Sequence, residues 1–494
     1  MIGPRGTSPA SPRHRAAGED GSHERYPDGR RRAMERGEGI PEGKATALAR
    51  SLAGEVLRPG DKGYEDARHI YNGLIDRRPA AIVRCRTASD VAAAVTFARH
   101  EALELSVRGG GHGVAGRAVA EGGVMIDLSP MSTVEVDPDA GIARAGGGTT
   151  WRGFNAATAE HGLATTGGVV STTGIAGLTL GGGFGYLMGR VGMAADNLLS
   201  LEVVTATGDI LNVDAETEPD LFWAMRGAGA NFGVATTLTY RLHPIDRIVG
   251  GLVVHPFGAA RDLLRFFREF TTGAPDVLYT FGGLLHAPDG SGTPVAAVVV
   301  GHSGDEGSAE ADLEPLLEFG DPMLVQVGPM SYPEINMMLD AGFPTGSLNY
   351  WKSSFLRRLD DAAIDTMIET FPACPSPMSG LVMEHFHGAA TRVPIEDTAV
   401  PHRQEGFNFL LTSLWTDPSM SDANVAWTKE VYVAMRPHLA ERRYVNYLDR
   451  DDDAEASATA VYGPNAERLA TLKQRWDPDN VFHLNHNIRP RSST

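Results

Sequence analysis

Arg108-Gly109-Gly110-Gly111-His112-Gly113 is the stretch on which the reading of this chain turns. Glycine exposes its backbone N–H and adopts positive φ freely, so a dense glycine run suits the cradling of a pyrophosphate. Working outward, Gly146-Gly147-Gly148 follows, and then a run from Gly167 to Gly192 that includes Gly181-Gly182-Gly183-Phe184-Gly185. Glycines that only make turns are scattered singly between strands, so three clusters between Arg108 and Gly192 predict a cofactor site. A Rossmann site is superficially suggested by Gly227-Ala228-Gly229-Ala230-Asn231-Phe232-Gly233. That fingerprint must follow a strand and open a helix. Here a helix candidate, Asp220 to Arg226, comes first and a strand comes after, so the order excludes it. No Gly-Lys-Ser/Thr follows a suitable glycine pair, so a Walker loop is excluded too.

Around the clusters the chain reads as short strands and helices. Ile82 to Arg84 is apolar, Thr87 or Ser89 can cap a helix over Asp90 to Glu101, and Leu105 to Val107 is a strand. Asp137-Pro138-Asp139-Ala140-Gly141 and Thr207-Gly208-Asp209 are hairpin signals between strand candidates. A helix over Trp151 to Glu160 closes at Gly162, and Val234 to Leu242 alternates like a strand. Pro244 marks a change of texture, after which glycine thins out. Strands are expected at Leu252–His255, Val277–Leu285, Ala296–Gly301, Leu381–His387 and Phe407–Trp415. Helices are expected at Ala259–Phe270, Ala309–Phe319 and Ala423–His438. The pattern predicts an α+β protein whose second half is an antiparallel sheet covered on one face. The expected division is a tail (1–43), a first domain (44–244), a second domain (245–440) and a segment (441–494) that returns to the first.

The length of 494 residues, with 42% hydrophobic and 21% charged residues, fits a globular protein of two or three domains. Met1 to Gly43 is rich in Arg, Gly, Ser and Pro and nearly free of large apolar side chains, so a disordered tail is expected there. Arg30-Arg31-Arg32 lacks the apolar run of an export signal, and Met34 is an alternative start. A net charge of −18 argues against nucleic acid as a partner. No apolar run long enough to span a membrane occurs. The two cysteines, Cys85 and Cys374, read as buried structural thiols, and nothing requires an oxidising compartment, which leaves the cytoplasm as the default.

With Ile126-Asp127-Leu128, Gly167-Gly168-Val169 and Gly192-Met193-Ala194-Ala195-Asp196-Asn197-Leu198, the glycine loops resemble the FAD-linked oxidases of the vanillyl-alcohol oxidase fold. More closely they resemble the berberine-bridge-enzyme group and its bacterial 6-hydroxy-D-nicotine oxidase-like members. Asp220-Leu221-Phe222-Trp223-Ala224, Asn231-Phe232-Gly233-Val234 and Trp476-Asp477-Pro478-Asp479-Asn480-Val481-Phe482 continue the likeness, which runs from Arg78 to Pro490. The resemblance implies a two-domain, PCMH-type FAD-binding fold with the flavin between the domains. It implies that His112 attaches to the flavin 8α-methyl, a role that a neutral imidazole can perform as a nucleophile. It also implies cofactor contacts from Arg108, Gly109, Gly110, Gly111, Gly113, Val169, Val170, Thr172, Gly174, Gly177, Gly181, Gly182, Asp196, Val234 and Asn485. One departure matters. Many members attach the flavin a second time through a cysteine at the place that Val170 fills here, so a single attachment is expected.

Tyr444-Val445-Asn446-Tyr447 resembles the family's catalytic Tyr-x-Asn segment. Tyr444 is the expected base, Tyr447 the reserve, and Asn446 a contact to flavin or substrate; packing is the alternative role for both tyrosines. A tyrosine of ordinary pKa near 10 is a poor base at neutral pH, so the role demands help from its surroundings. Lys352 and Glu384 are candidates for the substrate cavity. His385 and His387 fall on one face of a strand but lack further ligands at metal spacing, so they read as surface or sheet-face residues and no metal is expected. The implied activity is oxidation of a small organic substrate (alcohol, amine, sugar or secondary metabolite) with O₂ as the final acceptor. A dehydrogenase using another acceptor, or an inactive flavin-binding protein, is the alternative.

Overall fold

The computed structural model describes residues 39–245, 247–287, 289–452 and 458–491. The expected disorder of the tail lies outside these residues as far as position 38. Just beyond it, Ile40 is buried against Ala45, Ala80 and Ala81, and a helix begins at Glu42. The packed structure therefore starts by Ile40 and not at 44; a single apolar side chain among polar ones hid the boundary. A chain beginning at Glu42 is expected to be about 1.5–3 kcal/mol less stable than one beginning at Gly39, the usual cost of one exposed Ile side chain. Equal denaturant midpoints for the two would refute the packing role of Ile40.

Four strands form the first sheet: β1 (Glu55–Leu57), β2 (Ala81–Arg84), β3 (Leu105–Arg108) and β4 (Val124–Asp127), in the order β1-β2-β4-β3. Between β2 and β3 runs a helix, Ala88–His100, capped by Thr87 in a reciprocal box with Asp90. Both β2 and β3 pair in parallel with β4. At the end of β3 the Arg108 guanidinium grips Asp127 of β4 (Nη2–Oδ2 2.6 Å) and donates to the Ala67 and His69 carbonyls. That grip holds the strand end from which the glycine loop springs.

The second sheet contains β5 (Val134–Asp137), β6 (Ile142–Gly146), β8 (Leu198–Val204), β9 (Ile210–Asp214) and β10 (Val234–Arg241), ordered β5-β6-β10-β8-β9. A short pair, β7 (Leu163–Ala164) and β11 (His243–Pro244), stands apart. Both expected hairpins form, and Gly141 and Gly208 take positive φ at their turns. The helix Pro219–Ala228 kinks at Gly227 (φ +136°), where a Cβ would stand 2.5 Å from Val400 N; only glycine fits.

The third sheet has seven strands, antiparallel throughout: β12 (Ile248–Pro256), β13 (Leu278–His286), β14 (Pro294–His302), β15 (Leu324–Met330), β16 (Leu348–Phe355), β17 (Gly380–Phe386) and β18 (Gly406–Trp415). Their order is β15-β12-β14-β13-β17-β18-β16. One core lies between this sheet and helices that include Ala260–Phe270, Asp361–Thr370 and Ser421–Met435. On the other side, Tyr279, Phe281, Phe355 and Phe386 pack against Phe184, Tyr186 and Tyr444. The C-terminal helix Ala466–Trp476 packs on Pro219–Ala228, so Leu469, Leu472 and Ile488 join the core of the second sheet.

Two strands of the third sheet escaped the sequence reading for physical reasons. The edge strand β15 is largely exposed and carries Gly328 and Pro329, so it shows no alternation. In β16 the polar residues Asn349, Lys352, Ser353 and Ser354 are buried, which reverses the pattern that marks a strand. The helix expected over Ala309–Phe319 spans Glu306–Leu317 because Asp305 caps it by accepting from Ser308 N.

Candidate functional site

The glycine loops meet backbone to backbone. A Cβ on Gly110 would strike Gly174, and one on Gly174 would strike Gly110. Around this contact opens a cavity walled by residues 109–115, by several residues between 168 and 184 and between 227 and 235, and by the C-terminal residues 445–448, 482 and 484–486. Gly113 and Gly177 both line it, and a Cβ on either would meet nothing but open space. Any larger residue there would intrude on the cavity. Among the described residues on the wall, Arg117 is the one permanent cation and no carboxylate appears, although the chain carries a net charge of −18. A dinucleotide with two phosphates suits such a wall, because backbone N–H groups and one guanidinium complement its charge.

His112 is half-buried on this wall, and desolvation lowers its pKa to about 4, so the imidazole is neutral near pH 7. Its Nε2 has no hydrogen-bond partner. The Tyr71 ring lies over it, centroids 3.8 Å apart and planes 12° from parallel. Of the expected cofactor contacts, Gly109, Gly110, Gly111, Gly113, Val169, Val170, Gly174, Gly177, Gly181, Val234 and Asn485 line the cavity. Val170 presents an apolar, nearly buried side chain there. The buried Oδ1 of Asn485 and Oγ1 of Thr172 lack partners, although Thr172 is not on the wall.

Besides Thr172, three of the expected cofactor contacts lie off the wall. Arg108 does not reach the cavity, because its guanidinium is spent on Asp127 and two carbonyls. Asp196 faces Arg403 in a buried bidentate ion pair (2.7 and 2.8 Å) and accepts from Met193 N, so its charge is neutralised away from the wall. Gly182 turns toward Met193, Val400 and Tyr444.

The two tyrosines differ in kind. Tyr444 is buried and stacked on Phe184 (3.8 Å, 2°), and its hydroxyl accepts from Gly183 N (2.9 Å), Phe184 N (3.2 Å) and Asn446 Nδ2 (2.8 Å). It is an anchor for the glycine segment and does not line the cavity, which corrects its expected role as the base. Tyr447 does line the cavity, and its hydroxyl donates to Glu384 (3.2 Å). Tyr279 donates to the same carboxylate oxygen (2.9 Å), and Asn408 Nδ2 to the other (3.2 Å). Burial raises the Glu384 pKa and pushes those of Tyr447 and Tyr279 well above 10.0. Asn446 lies on the wall and also donates to Leu178 O (2.9 Å).

Glu384 thus stands one residue behind the wall. Lys352 is not on the wall at all: its ammonium is bound by Asp451 and Asp452, each at 2.6 Å. His385 and His387 are buried, with rings stacked 4.3 Å apart, and His387 Nε2 lies 2.8 Å from Leu278 O. They are sheet-side packing residues and not surface ones. Among the described residues no cluster of three potential metal ligands occurs. Cys85 is buried as expected, but Cys374 is only half-buried. The sequence reading passed over Tyr71, Tyr279, Asn408 and Arg117, none of which stands in a motif. Only the strand pairing Phe281↔Glu384 and Glu384↔Asn408 brings the polar ones together.

Known proteins match this chain along nearly its whole length. A family described as FAD binding domain matches residues 79–214, and one described as Berberine and berberine like matches residues 443–489. (R)-6-hydroxynicotine oxidase of Paenarthrobacter nicotinovorans is 31% identical over 460 residues, which cover 90% of this chain and 98% of that protein. An FAD-linked oxidoreductase of Dictyostelium discoideum is 28% identical, over 89% of this chain and 95% of its own length. The crystal structure of 6-hydroxy-D-nicotine oxidase from Arthrobacter nicotinovorans superposes with a TM-score of 0.82 at 29% identity, covering 89% of this chain and 99% of that one. A xylooligosaccharide oxidase from Myceliophthora thermophila shares the fold (TM-score 0.81, 21% identity, 91% of this chain and 100% of that one).

Proposed function

The chain belongs to the FAD-linked oxidoreductases of the berberine-like family, and we propose that it is an oxidase holding FAD through a single bond to His112. The observation that carries this reading is the meeting, on one glycine-walled cavity, of a neutral imidazole whose Nε2 has no partner and a tyrosine hydrogen-bonded to a buried carboxylate. Gly109 to Gly113, Gly174, Gly177, Arg117 and Asn485 would hold the cofactor. Bound there, FAD supplies a two-electron acceptor for a hydride from the substrate. Val170 offers no thiol, which supports one attachment and not two.

Tyr447 faces the cavity that would admit the substrate, and Glu384 stands behind it. The Tyr447 hydroxyl takes the substrate proton while its own proton passes to Glu384. This relay answers the weakness of a lone tyrosine, because the final acceptor is a carboxylate whose proton affinity burial has already raised. The substrate is a small organic molecule bearing an oxidisable C–H beside oxygen or nitrogen, and O₂ takes the electrons as H₂O₂. No helix among the described residues is long and apolar enough to cross a membrane. Two unpaired cysteines support the cytoplasm as the location.

Pure protein is expected to be yellow, and its colour should stay with the polypeptide after acid precipitation. In His112→Ala the flavin should instead wash out. Complete release from the wild-type protein refutes the attachment. A substrate panel read by peroxide formation then tests the oxidase claim; anaerobic bleaching with no peroxide in air marks a dehydrogenase, and no bleaching with any substrate marks an inactive flavoprotein.

A further inference from the structure

We propose that Tyr71 is the positioning residue that holds the His112 imidazole in the orientation from which it bonds to the flavin. The proposal rests on the covalent reading above. His112 sits between Gly111 and Gly113, which offer it no side chain to lean on, and the Cβ position of Gly113 is open space. Its Nε2 has no hydrogen bond to direct it. A side chain so placed is free to sample its staggered rotamers unless a neighbour fills the others. The neighbour is the Tyr71 ring, stacked at 3.8 Å and 12°.

Tyr71 is itself fixed from two directions. Its backbone N–H donates to Gly111 O (3.0 Å), which ties it to the glycine loop. Its hydroxyl donates to Asn349 Oδ1 (3.4 Å) on β16. The next residue, Asn72, is buried and locks the same three segments. Its amide donates to Val114 O (2.7 Å) and Asn349 O (3.0 Å), and its oxygen accepts from Asn349 N (2.9 Å) and Leu74 N (3.0 Å). The plane of the Tyr71 ring is therefore set by the third sheet and by the loop it serves. Attachment joins an imidazole nitrogen to the 8α-carbon, releases one proton from each, and leaves two electrons on the ring system, which O₂ removes as H₂O₂. Geometry governs such a step, because a displacement of about 1 Å costs about 10²-fold in rate.

The test follows the rate at which flavin becomes acid-stable after FAD is added to protein purified from riboflavin-starved cells. Tyr71→Phe keeps the ring face and should attach flavin within about threefold of wild type. Tyr71→Leu fills the space without a flat face, and should attach it about 10–100-fold more slowly while total bound flavin before acid stays near wild type. Tyr71→Ala should resemble Tyr71→Leu, with lower stability. A wild-type rate in Tyr71→Leu overturns the proposal, as does a Tyr71→Phe as slow as Tyr71→Leu, which would place the effect in the hydroxyl. Acid release of all flavin from the wild-type protein overturns the attachment and the proposal with it. Retention in wild type with an unimpaired Tyr71→Leu overturns the proposal alone.

Discussion

Tyr447→Phe slows flavin reduction by about 10²–10⁴-fold, the usual loss on removing a positioned acid–base group, and leaves the flavin in place. The substitution deletes one hydroxyl that faces the cavity and keeps the ring against Trp351 and Tyr444. Glu384→Gln should cause a loss of similar size, since an amide cannot take the relayed proton. The working form of Glu384 is the carboxylate, and burial raises its pKa from the ordinary 4.5. The wild-type reduction rate should therefore fall as pH drops through that raised value and hold steady above it; Glu384→Gln should lose this acid limb. Tyr444→Phe behaves differently. It strips the acceptor from the amides of Gly183 and Phe184 and should cost about 1–3 kcal/mol of stability with the reduction rate preserved. Anaerobic stopped-flow on the variants decides: full speed in Tyr447→Phe would remove it from the chemistry, and a slow Tyr444→Phe of normal stability would return the role to that residue.

Lys473→Met should destabilise the protein by about 3–5 kcal/mol, the typical cost of breaking a fully buried ion pair from one side. Lys473 and Asp477 are both 0% exposed, with Nζ 2.7 Å from Oδ2. The same ammonium donates to Asn231 O (2.7 Å) and Phe482 O (2.9 Å), while Asp477 accepts from Val481 N and Phe482 N. Removing the cation leaves the buried carboxylate without its counter-charge and takes a donor from two carbonyls. The loss should appear as a lower denaturant midpoint, together with a weaker hold on flavin, because Phe482 and Asn485 line the cavity. A change below about 1 kcal/mol would show that the pair is relaxed by solvent and not buried as described.

The chemistry of the cofactor end was legible because it is local. The glycine clusters lie within short segments whose density points to a cofactor, and the family resemblance singles out His112 among them. The residues proposed to act on substrate were only half legible. Tyr444 and Tyr447 stand three apart in one motif, but which of them faces the cavity depends on whether a hydroxyl meets the Gly183 and Phe184 amides or Glu384. That is decided by packing between segments remote in sequence. Glu384 was noticed as a polar residue in a strand, yet its partners Tyr279 and Asn408 come from two other strands of the third sheet. Lys352 misled for the complementary reason. A lysine beside Tyr350 and Trp351 reads as a cavity candidate, but its counter-charges, Asp451 and Asp452, sit about a hundred residues away and use it for structure.

The wall that ends in Tyr447, Phe482 and Asn485 also sets a timetable for biosynthesis. Residues 109–235 supply the glycine half of the cavity early in translation, but that half stays open until the segment from Tyr444 to Ile488 has been made and laid across it. At about 5–20 residues per second, many seconds separate the synthesis of the glycine loops from that of the segment that floors the cavity. Prematurely released chains that end before Tyr444 should therefore stay colourless however much flavin the cell contains. Pigmentation of newly made protein then reports arrival of the last segment, and the vitamin reaches only polypeptides whose synthesis has passed that point.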